Sequence, residues 1–419
     1  MEYSVPYNEG QQSFETDVSC TVIGNPAPEP GNPRDIIRRA MQNPVGNAPR
    51  FHEFARSSGK LLFILCDGTR PTPTASVLEA MHGDIANHPD VRFIIATGTH
   101  RSPTEAETER IFGRFLAEFR NRMTVHDAKD AEALQYLGTT SRGTPVSISR
   151  SVMEADGIVT INSVEPHYFA GFTGGRKSFL PGVAGYGSIE KNHRHATEPG
   201  SEPLALAGNP VSEDMDEAFA FLSGKRIFTV QTVMLPDGRL HSAFAGGIRE
   251  AFASGAESSV GVYCVDVPGK FNIVISAAPP PMDRDLYQSQ KALEHGRLAL
   301  EKGGIMILVS GCRDGVGDRG FYDLLAKLKS DGEIQNHLGD RYRLGNHKAA
   351  RWLSLCRDAS LRSVTGLDED VLRTVRMRNF NSLQEAVDTA VADLLAMGKV
   401  PRIGIIPGGS YTVPRTVSA

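Results

Sequence analysis

Two histidines and a lysine surround a glycine-rich turn in Glu165-Pro166-His167-Tyr168-Phe169-Ala170-Gly171-Phe172-Thr173-Gly174-Gly175-Arg176-Lys177-Ser178 and the downstream Asn192-His193. Glycines let a backbone approach a ligand closely. A lysine can bond covalently to a cofactor, and a histidine can move protons or hold a metal. Packing alone does not call for such a string, so it reads as built around a bound small molecule. It resembles a phosphate-binding P-loop but departs from the pattern at Arg176, where glycine should precede the lysine.

Further segments could add chemistry. Asp67-Gly68-Thr69-Arg70-Pro71-Thr72-Pro73 follows an apolar run. Backbone N–H groups and the Thr69 hydroxyl at such a turn suit a phosphate, and Arg70 suits a carboxylate or phosphate. A proline-stiffened turn with a surface salt bridge reads the same way. His100 stands in Gly98-Thr99-His100-Arg101, where a lone histidine is ordinarily a loop or capping residue. In Asn192-His193-Arg194-His195 the histidines lie two apart and point different ways on a helix, so they do not pair on one metal. Tyr287, Gln288 and Lys291 share a helical face. Trp352, the only tryptophan, is a core residue or, with Arg351, the cap of an interdomain pocket.

The elements that must position these residues alternate. Leu61–Leu65, Phe93–Ala96 and Gly157–Ile161 are short apolar strands, each running into one of the loops above, with helices expected from near Thr74 and from Ser102-Pro103-Thr104-Glu105. This predicts an α/β fold with mostly parallel sheets and ligands at the carboxyl ends of the strands. A second series follows Val267-Pro268-Gly269: strands at 271–276 and 304–309, a helix from about Asp283 to Lys302, and a last strand at 403–406. Two α/β domains are expected, 1–268 and 269–419, with the active site in the interdomain cleft and the last strand free to pack back on the first domain. The proline- and glycine-rich first thirty residues are expected to wrap the surface.

Composition narrows the class. The chain has 419 residues, 40% of them hydrophobic and 22% charged, with a formal charge of −4. No polybasic face points to nucleic acid or to an anionic membrane, and no apolar run reaches transmembrane length. Five scattered cysteines without a CxxC spacing fit a reducing cytoplasm. The N-terminus has no signal-peptide pattern.

Taken together, the 67–73 turn, the 98–101 loop, the 166–178 string, Leu180-Pro181-Gly182 and Asn192-His193 resemble the nickel-dependent lactate racemase family over most of the chain. The resemblance implies an isomerase, a racemase or epimerase of 2-hydroxyacids, holding a nickel-pincer nucleotide. That cofactor is a pyridinium mononucleotide whose two sulfur substituents and ring carbon bind Ni(II). It implies Lys177 as the covalent tether, His193 as the protein ligand to nickel, and Asp67, Gly68, Thr69, Arg70 and Pro181 as further cofactor-binding residues. His100 and His167 would be the paired acid/base groups. Arg70, Gln288 and Lys291, with Tyr287 and Trp352, would bind substrate. His195 carries no implied role.

The implied chemistry is coherent. The carboxylate makes the Cα hydrogen of a 2-hydroxyacid weakly acidic, so its removal as hydride, with a histidine taking the hydroxyl proton, is the easier route. It gives a planar 2-ketoacid, and return of hydride to either face racemises. The substrate is expected to be lactate-like. Alternatives are a larger hydroxyacid (a sugar acid, malate or an aryl-lactate), or a cofactor-binding protein without turnover. Cofactor-maturation proteins are expected partners, and a homo-oligomer is possible.

Overall fold

A computed structural model describes residues 1–24, 28–328 and 330–417. The chain divides into two compact units, Ala27–Val262 and a composite of Met1–Pro26 with Tyr263–Ala419.

The unit Ala27–Val262 is built on a six-stranded sheet ordered Leu240–Gly246, Arg226–Met234, Gly157–Ser163, Leu61–Cys66, Val91–Ala96, Met123–Val125. All neighbours are parallel except Leu240–Gly246, which runs antiparallel to Arg226–Met234. The central strands are continuous apolar runs because both faces are covered. Phe63, Leu65, Phe93, Ile95, Val159 and Ile161 are all buried. From Leu61–Cys66 the chain winds outward through 91–96 and 123–125, then returns to lay Gly157–Ser163 on the other side. The carboxyl ends of 61–66 and 157–163 therefore flank a topological switch point, where open α/β sheets bind ligands. Those ends carry Asp67–Arg70 and Glu165–His167.

The helix after the 98–101 loop begins at Glu105, not at Pro103. Thr104 is its cap: its hydroxyl accepts from Glu107 N at 3.2 Å while Glu107 Oε2 accepts from Thr104 N at 2.7 Å.

The composite unit holds a second six-stranded, all-parallel sheet, ordered Arg378–Asn379, Ala359–Val364, Leu300–Val309, Phe271–Ala277, Ile403–Ile406, Cys20–Val22. The break between units at Val262/Tyr263 lies within several residues of the expected one near 268, but the assignment of the first residues to the 1–268 domain is corrected. Cys20–Val22 pairs with Ile403–Ile406, so the N-terminal segment folds with the C-terminal one. It also corrects the expectation of a surface wrap. Glu2–Tyr7 and Gly10–Glu15 form an antiparallel hairpin that buries Val5 and Phe14; Asn25–Ala27, in the same expectation, lie outside the described residues. The strand 403–406 stays within the composite unit beside Phe271–Ala277. The helix expected from Asp283 spans Leu286–Ala299, capped by Asp285, whose carboxylate accepts from Gln288 N at 2.8 Å.

Trp352 is core. It is fully buried against Phe321 (ring centroids 5.7 Å apart), and its indole N–H donates to Val375 O at 2.8 Å. It therefore has no free face for substrate. The preceding Arg351 forms a two-pronged pair with the buried Glu294, at 3.0 Å from Nε and 2.7 Å from Nη2. Burial raises the Glu294 carboxyl, but Arg351 and the other nearby cations outweigh it and hold it below the usual carboxylate range. Removing one partner of a buried pair strands the other charge. Glu294→Ala should lower the unfolding free energy by roughly 3–5 kcal/mol in urea titration; a loss near zero would show that water reaches the pair.

Candidate active site

The turn after Leu61–Cys66 is organised by Asp67. Its Oδ1 accepts from Thr69 N at 3.1 Å and from the Thr69 hydroxyl at 2.6 Å, while its backbone carbonyl accepts from Arg70 N at 3.3 Å. The Thr69 donors expected to meet a phosphate are thus already used by Asp67. Gly68 lies so close to the neighbouring helix that a Cβ there would come within 2.7 Å of Glu107 Cβ. Its carbonyl accepts from Arg110 at 2.6 Å.

The second Asp67 oxygen, Oδ2, meets His100 Nδ1 at 2.7 Å. Burial raises the Asp67 carboxyl, but hydrogen bonds from His100 and Thr69 outweigh it, and the group lies below its ordinary value. An ionised carboxylate only accepts, so His100 Nδ1 carries the proton and, in the neutral ring, Nε2 keeps its lone pair. His100 is half exposed beside the buried Asp67. A histidine oriented this way has a basic nitrogen available for proton transfer and a counter-charge for its imidazolium form.

Two contacts tie this turn to Glu165 and Ser163, and two more link the neighbouring loops to one another. The Arg70 guanidinium reaches Glu165 at 2.7 Å. The Thr72 hydroxyl donates to Ser163 Oγ at 3.3 Å. Gly98 N donates to Gly182 O at 3.0 Å, and Gly182 N donates to Lys177 O at 3.0 Å. The first two join the loops after strands 61–66 and 157–163; the others join the His100 loop to the Lys177 turn through Leu180-Pro181-Gly182. Gly98 has φ +56°, and a Cβ there would meet Pro181 at 3.5 Å, so the two loops are in contact.

Pro166–His167 and Gly171–Phe172 form a small antiparallel ladder, and Gly175–Ser178 is a 3₁₀ turn. The lysine therefore follows a hairpin, unlike a P-loop lysine between strand and helix. Gly174 has φ +86°, and a Cβ there would lie 2.7 Å from both Gln231 and Val164. The buried Arg176 pairs with Asp216 at 2.9 Å and donates to the Ser212 hydroxyl at 2.6 Å. It anchors the turn and leaves chemistry to Lys177.

His193 lies on the helix Tyr186–Arg194. Desolvation, then the charge of the Lys177 ammonium, pushes its imidazole down to about 3; His100 adds to the effect. His193 is therefore neutral at physiological pH, the form that can bind a metal. Its ring meets Phe169 edge-on at 5.3 Å between centroids, and Phe169 meets His167 at 4.5 Å. Ala170 N donates to His167 Nδ1 at 3.3 Å. The chain of contacts thus gathers Asp67, Arg70, His100, His167, Lys177, Pro181 and His193 in one unit. The neighbouring Asn192 is buried and donates to Asp214 Oδ2 at 2.7 Å. His195 is tied to Glu198 at 2.5 Å.

Tyr287, Gln288 and Lys291 occupy the first turns of Leu286–Ala299 in the composite unit. Sequence reading missed Lys348. Its buried Nζ donates to Tyr287 O at 2.6 Å and sits 3.3 Å from the Tyr287 ring centroid. It thereby supports the turn that carries Gln288 and Lys291. No motif surrounds it; only an isolated lysine in an otherwise apolar helical stripe could have signalled it.

The fold is α/β, and one cluster of its loops carries an imidazole held neutral, a lysine and an Asp-oriented histidine. Residues 7–203 match the lactate racemase N-terminal domain and residues 268–413 the lactate racemase C-terminal domain. The chain belongs to the lactate racemase family. It is 29% identical over 394 residues to the lactate racemase of Thermoanaerobacterium thermosaccharolyticum, covering 91% of this chain and 90% of that one. It is 28% identical over 391 residues to the lactate racemase of Lactiplantibacillus plantarum, covering 90% and 89%. The structure of the T. thermosaccharolyticum lactate racemase apoprotein superposes with a TM-score of 0.87 at 27% identity, covering 99% of this chain and 100% of that one. A Thermotoga maritima protein shares the fold, with a TM-score of 0.64 at 17% identity over 92% of this chain and 97% of that one.

The family uses a nickel-pincer nucleotide, and the residues present suit it. Among the described residues no three His, Cys, Asp or Glu side chains are grouped to hold a metal. One neutral imidazole beside an amine suits a metal that arrives with its other donors, soft sulfurs included, already supplied by a cofactor.

Burial, then the Lys291 ammonium, pushes Lys348 down to about 7. The unfolded chain, with lysine near 10.4, holds a proton that the folded protein lacks between these values, so stability from this site rises with pH across that window. Urea midpoints at pH 7 and pH 9 should therefore rise more for the wild type than for Lys348→Met. Parallel changes in the two proteins would show that Lys348 keeps an ordinary pKa.

Proposed function

We propose that this chain is a nickel-pincer-nucleotide-dependent racemase of a lactate-like 2-hydroxyacid. The observation that carries the reading is the Asp67-oriented His100 in the same loop cluster as His193, whose ring packs on Phe169 next to His167 and whose imidazole is held well below its usual value. In this reading Lys177 tethers the cofactor and His193 ligates its nickel, with Gly68, Thr69 and Pro181 lining it. Asp67 acts chiefly through His100. The bound group supplies a hydride acceptor for the Cα hydrogen.

The protein's own residues do the rest. Arg70 holds and orients the substrate carboxylate; Tyr287, Gln288 and Lys291 are carried as substrate-binding residues by the family resemblance. His100 Nε2 takes the hydroxyl proton of one enantiomer while Asp67 opposes the imidazolium charge. His167 serves the other enantiomer, each histidine acting as acid when its partner is base. The planar 2-ketoacid formed in between is the point at which configuration is lost. Cofactor-maturation proteins would deliver the nucleotide. Five free cysteines suit a reducing compartment, and we place the protein in the cytoplasm; among the described residues no helix is long and apolar enough to cross a membrane.

The test uses protein matured with the cofactor. Lys177→Ala should lose the covalent mass adduct, and His193→Ala should lose nickel. His100→Asn and His167→Asn should each reduce racemisation of lactate in both directions by about 10²–10⁴-fold while keeping metal and adduct. Wild-type nickel, adduct and activity in the first two variants would overturn the cofactor assignment.

A further inference from the structure

Arg70 and Glu165 form an ion pair between the two loops that flank the switch point, with Nη1 and Oε1 2.7 Å apart and the side chains 30% and 23% exposed. A pair this open to water adds little to stability, so stability does not account for it. Glu165 is nonetheless held firmly. Its N–H donates to the Thr173 hydroxyl at 2.9 Å, and its carbonyl accepts from Thr173 N at 2.8 Å. The carboxylate thus extends from a fixed post two residues before His167. On the other side, the Arg70 turn is closed onto Asp67 and tied to Ser163 through Thr72.

A guanidinium offers five N–H donors in a rigid fork. Glu165 engages Nη1. Among the described residues no acceptor engages the Nε–Nη2 edge of Arg70, the edge that a carboxylate grips with two parallel hydrogen bonds. A free arginine would spread over many rotamers and lose that freedom on binding. One already held by Nη1 has lost much of it in advance.

We propose that Glu165 is a positioning residue that holds Arg70 by Nη1 and so presents its Nε–Nη2 edge to the substrate carboxylate. This rests on the reading of Arg70 as the carboxylate grip. In this role Glu165 fixes the guanidinium before substrate arrives. Because the post leads directly into Pro166–His167, it also sets the carboxylate grip and one base from a single segment.

The experiment is a double-mutant cycle on cofactor-matured protein with lactate as the probe. Glu165→Ala should raise KM by roughly two- to tenfold, the cost of ordering one more long side chain on binding, with kcat nearly unchanged. Glu165→Gln, which keeps an acceptor for Nη1, should recover part of that loss. In an Arg70→Ala background neither change should raise KM further. An equal KM increase with and without Arg70, or a fall in kcat at constant KM, overturns the proposal. An unchanged lactate KM in Arg70→Ala alone would instead fault the carboxylate-grip reading. If Glu165→Ala does not fold, the Gln variant in the two backgrounds decides the matter by the same criterion.

Discussion

The hydrogen bond between Asp67 and His100 is the constraint around which the site is arranged. Asp67 ends one strand and His100 follows the next, and parallel pairing of Leu61–Cys66 with Val91–Ala96 brings the two loops together. Strands under 5 Å apart leave their carboxyl-end loops no choice but to touch. The carboxylate then does two things at once: one oxygen shapes its own turn through Thr69, and the other fixes the histidine's tautomer. A phosphate-binding turn with free donors could not do both.

Burial tunes bases in both units, with different results. Desolvation and the charge of another cation push both His193, which is partly buried, and Lys348, which is buried, towards their neutral forms. For the imidazole this yields a metal-binding lone pair. For the amine it yields a support near neutrality beneath the helix turn of Gln288 and Lys291. Where a buried charge is kept, as at Glu294, matched partners surround it.

Much of this was legible in the sequence. Continuous apolar runs such as Leu61–Leu65 and Ile305–Val309 can be little other than buried parallel strands, and the glycine and proline punctuation after them marked the loops. The resemblance named the residues that those loops carry. What stayed hidden depended on distant pairing. Nothing around Cys20–Val22 announces a partner at Ile403–Ile406, so the first residues went to the wrong domain. Trp352 read as either core or cap, and its burial settled the choice. Glu165 looked like the residue before a proline, and its bond to Arg70 crosses 95 positions of sequence. Thr69 looked like a ligand donor because sequence shows a hydroxyl but not what it already bonds.

The account turns on removal of the Cα hydrogen as hydride, with the histidines confined to the hydroxyl proton. Cofactor-matured protein should therefore be given one enantiomer of lactate deuterated at Cα, in ordinary water, and the opposite enantiomer followed by chiral separation and mass spectrometry. The account predicts product that keeps its deuterium. Product that has exchanged deuterium for solvent hydrogen as fast as it forms would contradict it, placing His100 and His167 at Cα as proton-abstracting bases.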